Sequence, residues 1–195
     1  MKKSLQPYLL ILGMLGATPM HAQVIYKISP SSAVNITGTS TISDWVVRSQ
    51  KISGEMVFIP SGEKGTVVAA GAIKDAKVVL EVSSIKSEKG ETMDNKMYSA
   101  LKRDSYPRIT FQLTEPLAVS QVPAKLSARG EVMIGGVTRP MTFDLDLVQD
   151  GNSYHLRGTT PLKLSDFEIE PPSAMFGQIE TGDDIVVELN LFFGK

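Results

Sequence analysis

The sequence predicts an all-β fold of antiparallel strands carrying one short helix. Three observations lead there. Apolar and polar residues alternate through most of the chain after residue 22, glycine-rich turn signals separate the alternating runs, and one segment, Glu91 to Arg103, switches to helical spacing. Alternation of period two gives a strand one buried and one wet face, as in antiparallel sheets. Nothing has the strand–helix alternation of a nucleotide-binding fold.

The first segment is an address. "MKKSLQPYLLILGMLGATPMHA" opens on Lys2 and Lys3, runs apolar from Tyr8 to Ala17 and ends with Pro19 and Ala22. That is the layout of a secretory signal peptide, and the apolar run is too short to span a bilayer. A cut between Ala22 and Gln23 leaves residues 23–195 as one domain, long enough to bury a substantial core. The chain has no Cys, which excludes disulfides and a lipid-anchored cysteine. The expected location is the periplasm. The cut removes two of the 20 basic residues and none of the 21 acidic ones, so the formal charge moves from −1 to −3. That balance argues against nucleic acid as a partner, because such binding rests on excess Lys and Arg.

The strands follow. "KVVLEVSS" (77–84) puts Val78, Leu80 and Val82 on one face, and "RITFQLTE" (108–115) does the same with Ile109, Phe111 and Leu113. "KLSARGEVMIGG" continues with Leu126, Ala128, Val132 and Ile134. In "MTFDLDLVQD", Met141, Phe143, Leu145 and Leu147 point inward while Asp144 and Asp146 point to solvent. "DIVVELNLFFGK" closes the chain with Ile185, Val187, Leu189 and Leu191 inward. Turns are expected at "QDGNS", at "IGGVTRP" and at "PSGEKG".

The helical exception, "ETMDNKMYSALKR", places Met93, Met97 and Leu101 on one stripe, with Asp94, Lys96 and Lys102 away from it. Pro107 forces Tyr106 toward an extended conformation, so the helix stops by about Asp104. Such a helix covers one end of a sheet or barrel. Its methionine face suits contact with an apolar ligand, because Met is unbranched and polarisable.

Taken together, "GEMVF", "DNKMYSALK", "YPRITF", "ARGEVMIGGVTRPMTF" and "LKLSDFEI", in this order and spacing, resemble the YceI-like family of small exported bacterial proteins. The resemblance spans essentially the whole chain after residue 22. It implies an extended, lipocalin-like antiparallel β-barrel of about eight strands, with the short helix (about 91–104) near a barrel end and a lumen able to hold a polyisoprenoid chain. Near the start, "GTSTISDW" resembles a subgroup with G-T-S-T-L-H-D-W, but Ser43 stands in place of the His, so no His-based role is carried over.

The candidate ligand-binding residues are Trp45, Phe58, Met93, Met97, Leu101, Phe111, Phe143, Phe167 and Phe176. Trp45, the sole tryptophan, reads either as a strand-end anchor or as a ligand-stacking residue, and its indole N–H needs a partner if buried. Most of the phenylalanines read as core, with some lining a cavity. Arg103, Arg108 and Arg139 are head-group candidates if the ligand carries a phosphate, which Arg binds in bidentate fashion. The alternative is that they balance nearby surface acids.

Catalysis is poorly supplied. After the cut, His155 is the one remaining His and its strand position faces outward; there is no thiol, no G-x-S-x-G and no metal-ligand spacing. Asp183 and Asp184 are placed in a turn, and two adjacent acids do not make a calcium site. No cofactor is expected. The leading expectation is therefore a non-enzymatic carrier or sequestering protein for an apolar small molecule, a polyisoprenoid or quinone. The alternatives are a filled-barrel interaction or stress-response module without a ligand, and a barrel hydrolase or isomerase. Transient membrane contact and a homodimer stay open. Burying a methylene gains about 0.8 kcal/mol from water, but a lipid leaving a bilayer is already in apolar surroundings. Selectivity must then come from tunnel shape and head-group contacts.

Overall fold

The protein is described from a computed structural model covering residues 23–61, 70–174 and 176–195. Residues 1–22, expected above to be a signal peptide, and the glycines of the expected "PSGEKG" turn lie outside the described residues. The elements are β1 (Val24–Ile28), β2 (Ala33–Ser40), β3 (Trp45–Ser49), β4 (Ile52–Pro60), β5 (Gly71–Glu81), β6 (Lys86–Ser87), α1 (Glu91–Ala100), β7 (Arg108–Leu113), β8 (Leu117–Val119), β9 (Ala124–Ile134), β10 (Val137–Asp150), β11 (Ser153–Lys163), β12 (Ser173–Ala174) and β13 (Ile179–Gly194). Eight of the strands close a ring in the order β1-β4-β5-β7-β9-β10-β11-β13 and back to β1. The fold is the expected lipocalin-like antiparallel barrel. Strands β2, β3 and β6 continue from β13 outside the ring, β8 adds to β5 and β12 adds to β13.

Strand β13 is 16 residues long and serves two neighbours along one edge. Thr181 to Asn190 pair with β2, and Phe193 and Gly194 pair with β1. The chain passes from one neighbour to the other at Ser29–Ser32. There the buried Ser32 hydroxyl accepts the Phe192 N–H (2.9 Å) and donates to the Phe192 carbonyl (3.3 Å). These bonds satisfy backbone groups left over where one strand ends and the next begins.

The two expected turns that fall within the described residues are present. Gly135 (φ 57°) and Gly136 (φ 88°) form a two-residue hairpin between β9 and β10, where Ile134 pairs with Val137. Both residues have φ > 0, the geometry that matches strand twist and favours glycine. The Asp150-Gly151 signal likewise joins β10 to β11.

The helix is shorter than the expected 91–104. It ends at Ala100, where the Lys102 N–H bonds to the Ser99 carbonyl (3.0 Å) and the Arg103 N–H to the Tyr98 carbonyl (2.9 Å). With Lys102 left-handed (φ 53°), this is a Schellman closure built on lysine rather than glycine. The stop therefore precedes the one that Pro107 would impose. Asp183 and Asp184 also differ from expectation: they sit inside β13, where its register with β2 shifts between Thr181 and Ile185. Among the described residues, no helix is long and apolar enough to cross a membrane.

Candidate functional site

One end of the barrel is solid. Tyr154 meets Tyr26 edge-on (centroids 5.0 Å, 81°) and lies 5.6 Å from Phe58, and all three rings are buried. Above this aromatic plug the lumen opens into a cavity of about 380 Å³, within the size range of small-molecule sites. The burial pattern registers the cavity. Val78, Phe111, Met141, Leu145, Val187 and Leu189 face inward yet are only half-buried, because they line open space rather than touching across it. Phe111 and Phe143 meet edge-to-face across the wall (5.3 Å, 84°).

Helix α1 covers the other end. Met93, Met97, Ala100 and Leu101 line the cavity, so the expected apolar stripe does face the lumen. The opposite side of the helix is held by polar contacts. Asp94 is buried, with one oxygen accepting the Ser87 N–H (2.7 Å) and the other 3.1 Å from Lys86 Nζ. The buried Tyr98 hydroxyl lies 2.8 Å from the Ile85 carbonyl and 2.9 Å from the Ser83 carbonyl, its single proton shared between them. Tyr98 first, and Asp94 with it, raise the Lys86 ammonium above its ordinary pKa. Asp94 and Lys102 lie away from the stripe as expected, Asp94 being buried on the anchoring side and Lys102 exposed, whereas Lys96, half-buried, lines the cavity and corrects that part of the expectation.

The mouth lies where the β2–β3 hairpin, the segment leading into α1 and the β12–β13 hairpin converge. The Thr41 N–H bonds to the Glu180 carbonyl (3.0 Å), joining the two hairpins. Trp45 lines the cavity here, its ring lying on Gly38 and its indole N–H donating to the Thr39 carbonyl (2.9 Å). It is an anchor and a wall residue at once. Ile42, also in the lining, is 67% exposed. Close by, Asp183 accepts from both the N–H (2.7 Å) and the hydroxyl (2.6 Å) of Ser165, which hold its carboxyl below the usual pKa.

Of the nine candidate ligand-binding residues, the cavity gathers Trp45, Met93, Met97, Leu101, Phe111 and Phe143. Three lie elsewhere. Phe58 belongs to the plug, Phe167 is buried in the short turn after β11, and Phe176 is fully exposed on the β12–β13 hairpin with φ 55°. None of the three head-group candidates lines the cavity. Arg103 pairs with Asp104 (2.9 Å) and stacks on Tyr98, Arg139 donates to the Asp166 carbonyl (2.8 Å) and reaches Glu168 (3.5 Å), and Arg108 is exposed. The cations that do line it, Lys89 and Lys96, were not among the candidates: periodicity says nothing about which rim the loop residue Lys89 will face, and it set Lys96 of α1 apart from the methionine stripe. His155 faces outward as expected, hydrogen-bonded to Asn190 and stacked on Phe192 (4.1 Å, 10°).

A closed antiparallel barrel, plugged at one end and capped by a helix over an apolar lumen, defines a lipocalin-like protein. The particular family follows from sequence: the chain belongs to the YceI-like domain family, whose model matches residues 24–193. Solved structures agree on the fold. BcnA of Burkholderia cenocepacia superposes with a TM-score of 0.62 at 18% identity, over 85% of this chain and 98% of that one. A polyisoprenoid-binding domain from Saccharophagus degradans, implicated in plant cell wall breakdown, gives 0.66 at 14% identity, over 87% and 97%. The YceI protein of Campylobacter jejuni gives 0.59 at 18%, over 98% and 99%. No curated protein matches the chain in sequence.

Proposed function

We propose that this protein is an exported, non-enzymatic carrier or sequestering protein that holds the apolar chain of an isoprenoid-type lipid in its barrel lumen, and that residues 1–22 direct it to the periplasm. The observation that carries the reading is the cavity of about 380 Å³ between the aromatic plug and the methionine face of α1. A filled-barrel interaction module would have closed that space with large side chains, as the opposite end does. The wall also speaks for binding rather than acid–base chemistry: among the described residues it contains no carboxylate and no His. The polyisoprenoid-binding domain of Saccharophagus degradans shares the fold and supports the same ligand class here.

The test is native mass spectrometry of the protein purified from periplasm without detergent, followed by organic extraction and identification of the lipid. A stoichiometric prenyl lipid is expected. A protein that arrives empty, and stays empty when offered prenyl lipids in vesicles, would replace this reading with the filled-barrel interaction module.

A further inference from the structure

We propose that the lumen selects amphiphiles whose apolar chain ends in an anionic head, a carboxylate or a phosphate, and that Lys96 and Lys89 hold that head at the mouth. This rests on the lipid-binding reading and specifies what it leaves open.

Among the described residues, the charged side chains lining the cavity are these two lysines, both cationic, with no Asp or Glu in the wall. Six other basic residues lie within 4.0 Å of a carboxylate, from Lys86 beside Asp94 to Lys163 beside Asp184. Lys89 and Lys96 bond to neutral oxygens instead. Lys89 Nζ donates to the Ser43 hydroxyl (3.1 Å), and Lys96 Nζ donates to the Ser173 carbonyl (3.2 Å). An ammonium carries three N–H donors, so among the described residues each of these contacts leaves two without a protein partner.

The two sites are not equivalent. Lys89 is exposed and also borders an outer groove containing Asp44, Glu88 and Asp184, which dilute its field. Lys96 is half-buried on α1, one residue before Met97, and faces the apolar lumen. A charge beside a low-dielectric wall attracts an opposite charge far more strongly than one in water. Ser40, Ser87 and Thr181 add hydroxyls to the same rim. A chain lying along Met97 and Met93 therefore ends beside Lys96. An anionic head there gains charge-assisted hydrogen bonds, while a neutral alcohol or quinone leaves the positive field unanswered.

The test compares three ligands with one geranylgeranyl chain and different heads: the monophosphate, the carboxylic acid and the alcohol. Each is offered in neutral phosphatidylcholine vesicles to delipidated protein. Binding is read by Trp45 fluorescence and by native mass spectrometry, for wild type, Lys96→Met, Lys89→Met/Lys96→Met and the charge-retaining Lys96→Arg. Comparing each ligand between wild type and variants cancels its partitioning into the vesicle. The expected result is at least a tenfold loss of anionic-ligand binding in the double variant, with alcohol binding unchanged and Lys96→Arg close to wild type. Loss confined to the phosphate or to the acid identifies which head the mouth takes. Equal binding of all three by every variant overturns the head-group proposal and leaves the carrier reading standing. No binding of any of them by folded wild-type protein overturns both.

Discussion

At the scale of single residues, the motif Gly38-Thr39-Ser40-Thr41-Ile42-Ser43-Asp44-Trp45 becomes intelligible as a bed and its occupant. Gly38 pairs with Trp45 across β2 and β3, and a Cβ added at Gly38 would stand 2.3 Å from the indole ring. Glycine inside a strand often marks such a close approach. Gly38→Ala should therefore lift the ring, weaken the indole bond to Thr39 and destabilise the protein by about 1–3 kcal/mol. A red-shifted tryptophan emission together with a lowered urea midpoint is the expected outcome; unchanged emission would mean that the ring is not held by this contact. A likeness to one subgroup's motif was legible here, but the contact was not. It joins two strands through a hairpin whose register only the fold determines.

At the scale of elements, α1 is held from one side and used from the other. The Met93, Met97 and Leu101 stripe could be read from periodicity, because four-residue spacing puts side chains on one helix face wherever the helix lies. The anchoring face could not. Asp94 and Tyr98 look like solvent-side and flanking residues until Lys86, the Ser87 N–H and the carbonyls of Ser83 and Ile85 are brought to them by the turn after β5. A buried polar group is tolerated only with such partners, and partners distant in local geometry leave no periodic trace. The same reasoning explains Arg103 and Arg139, whose acceptors are supplied by the helix end and by the turn after β11. Tyr98→Phe removes the hydroxyl that ties α1 to Ser83 and Ile85. It should reduce stability by about 1–2 kcal/mol, roughly 2–8 °C in Tm for a chain of this size. Because the helix covers the lumen, the variant should also release bound lipid faster than wild type. Transfer to acceptor vesicles measures that rate, and an unchanged rate at lowered Tm would show that α1 does not gate exit.

At the scale of the whole molecule, the barrel is divided into a dry plugged end and an open end, and the plug has its own pH signature. Burial, with the neighbouring Tyr26 as a lesser cause, pushes the Tyr154 phenol from 10.0 up to about 12. The unfolded chain loses this proton near pH 10, while the native barrel keeps it. Between those values the unfolded state binds fewer protons than the native one, so stability falls as pH rises and the loss is complete only above the native value. A shift of that size corresponds to about 2–3 kcal/mol. Urea midpoints measured from pH 8 to 12 should therefore decline more steeply in wild type than in Tyr154→Phe. Phenolate absorbance near 295 nm should show a late-titrating component in wild type that is diminished by one tyrosine in the variant. The open end, proposed above to hold lipid, has no part in this transition, since Tyr154 lies outside the cavity wall. Lipid should consequently remain bound through the first half of the alkaline decline and be released only with global unfolding. Release at pH 10, ahead of any loss of structure, would show that plug and lumen are coupled rather than independent halves of the barrel.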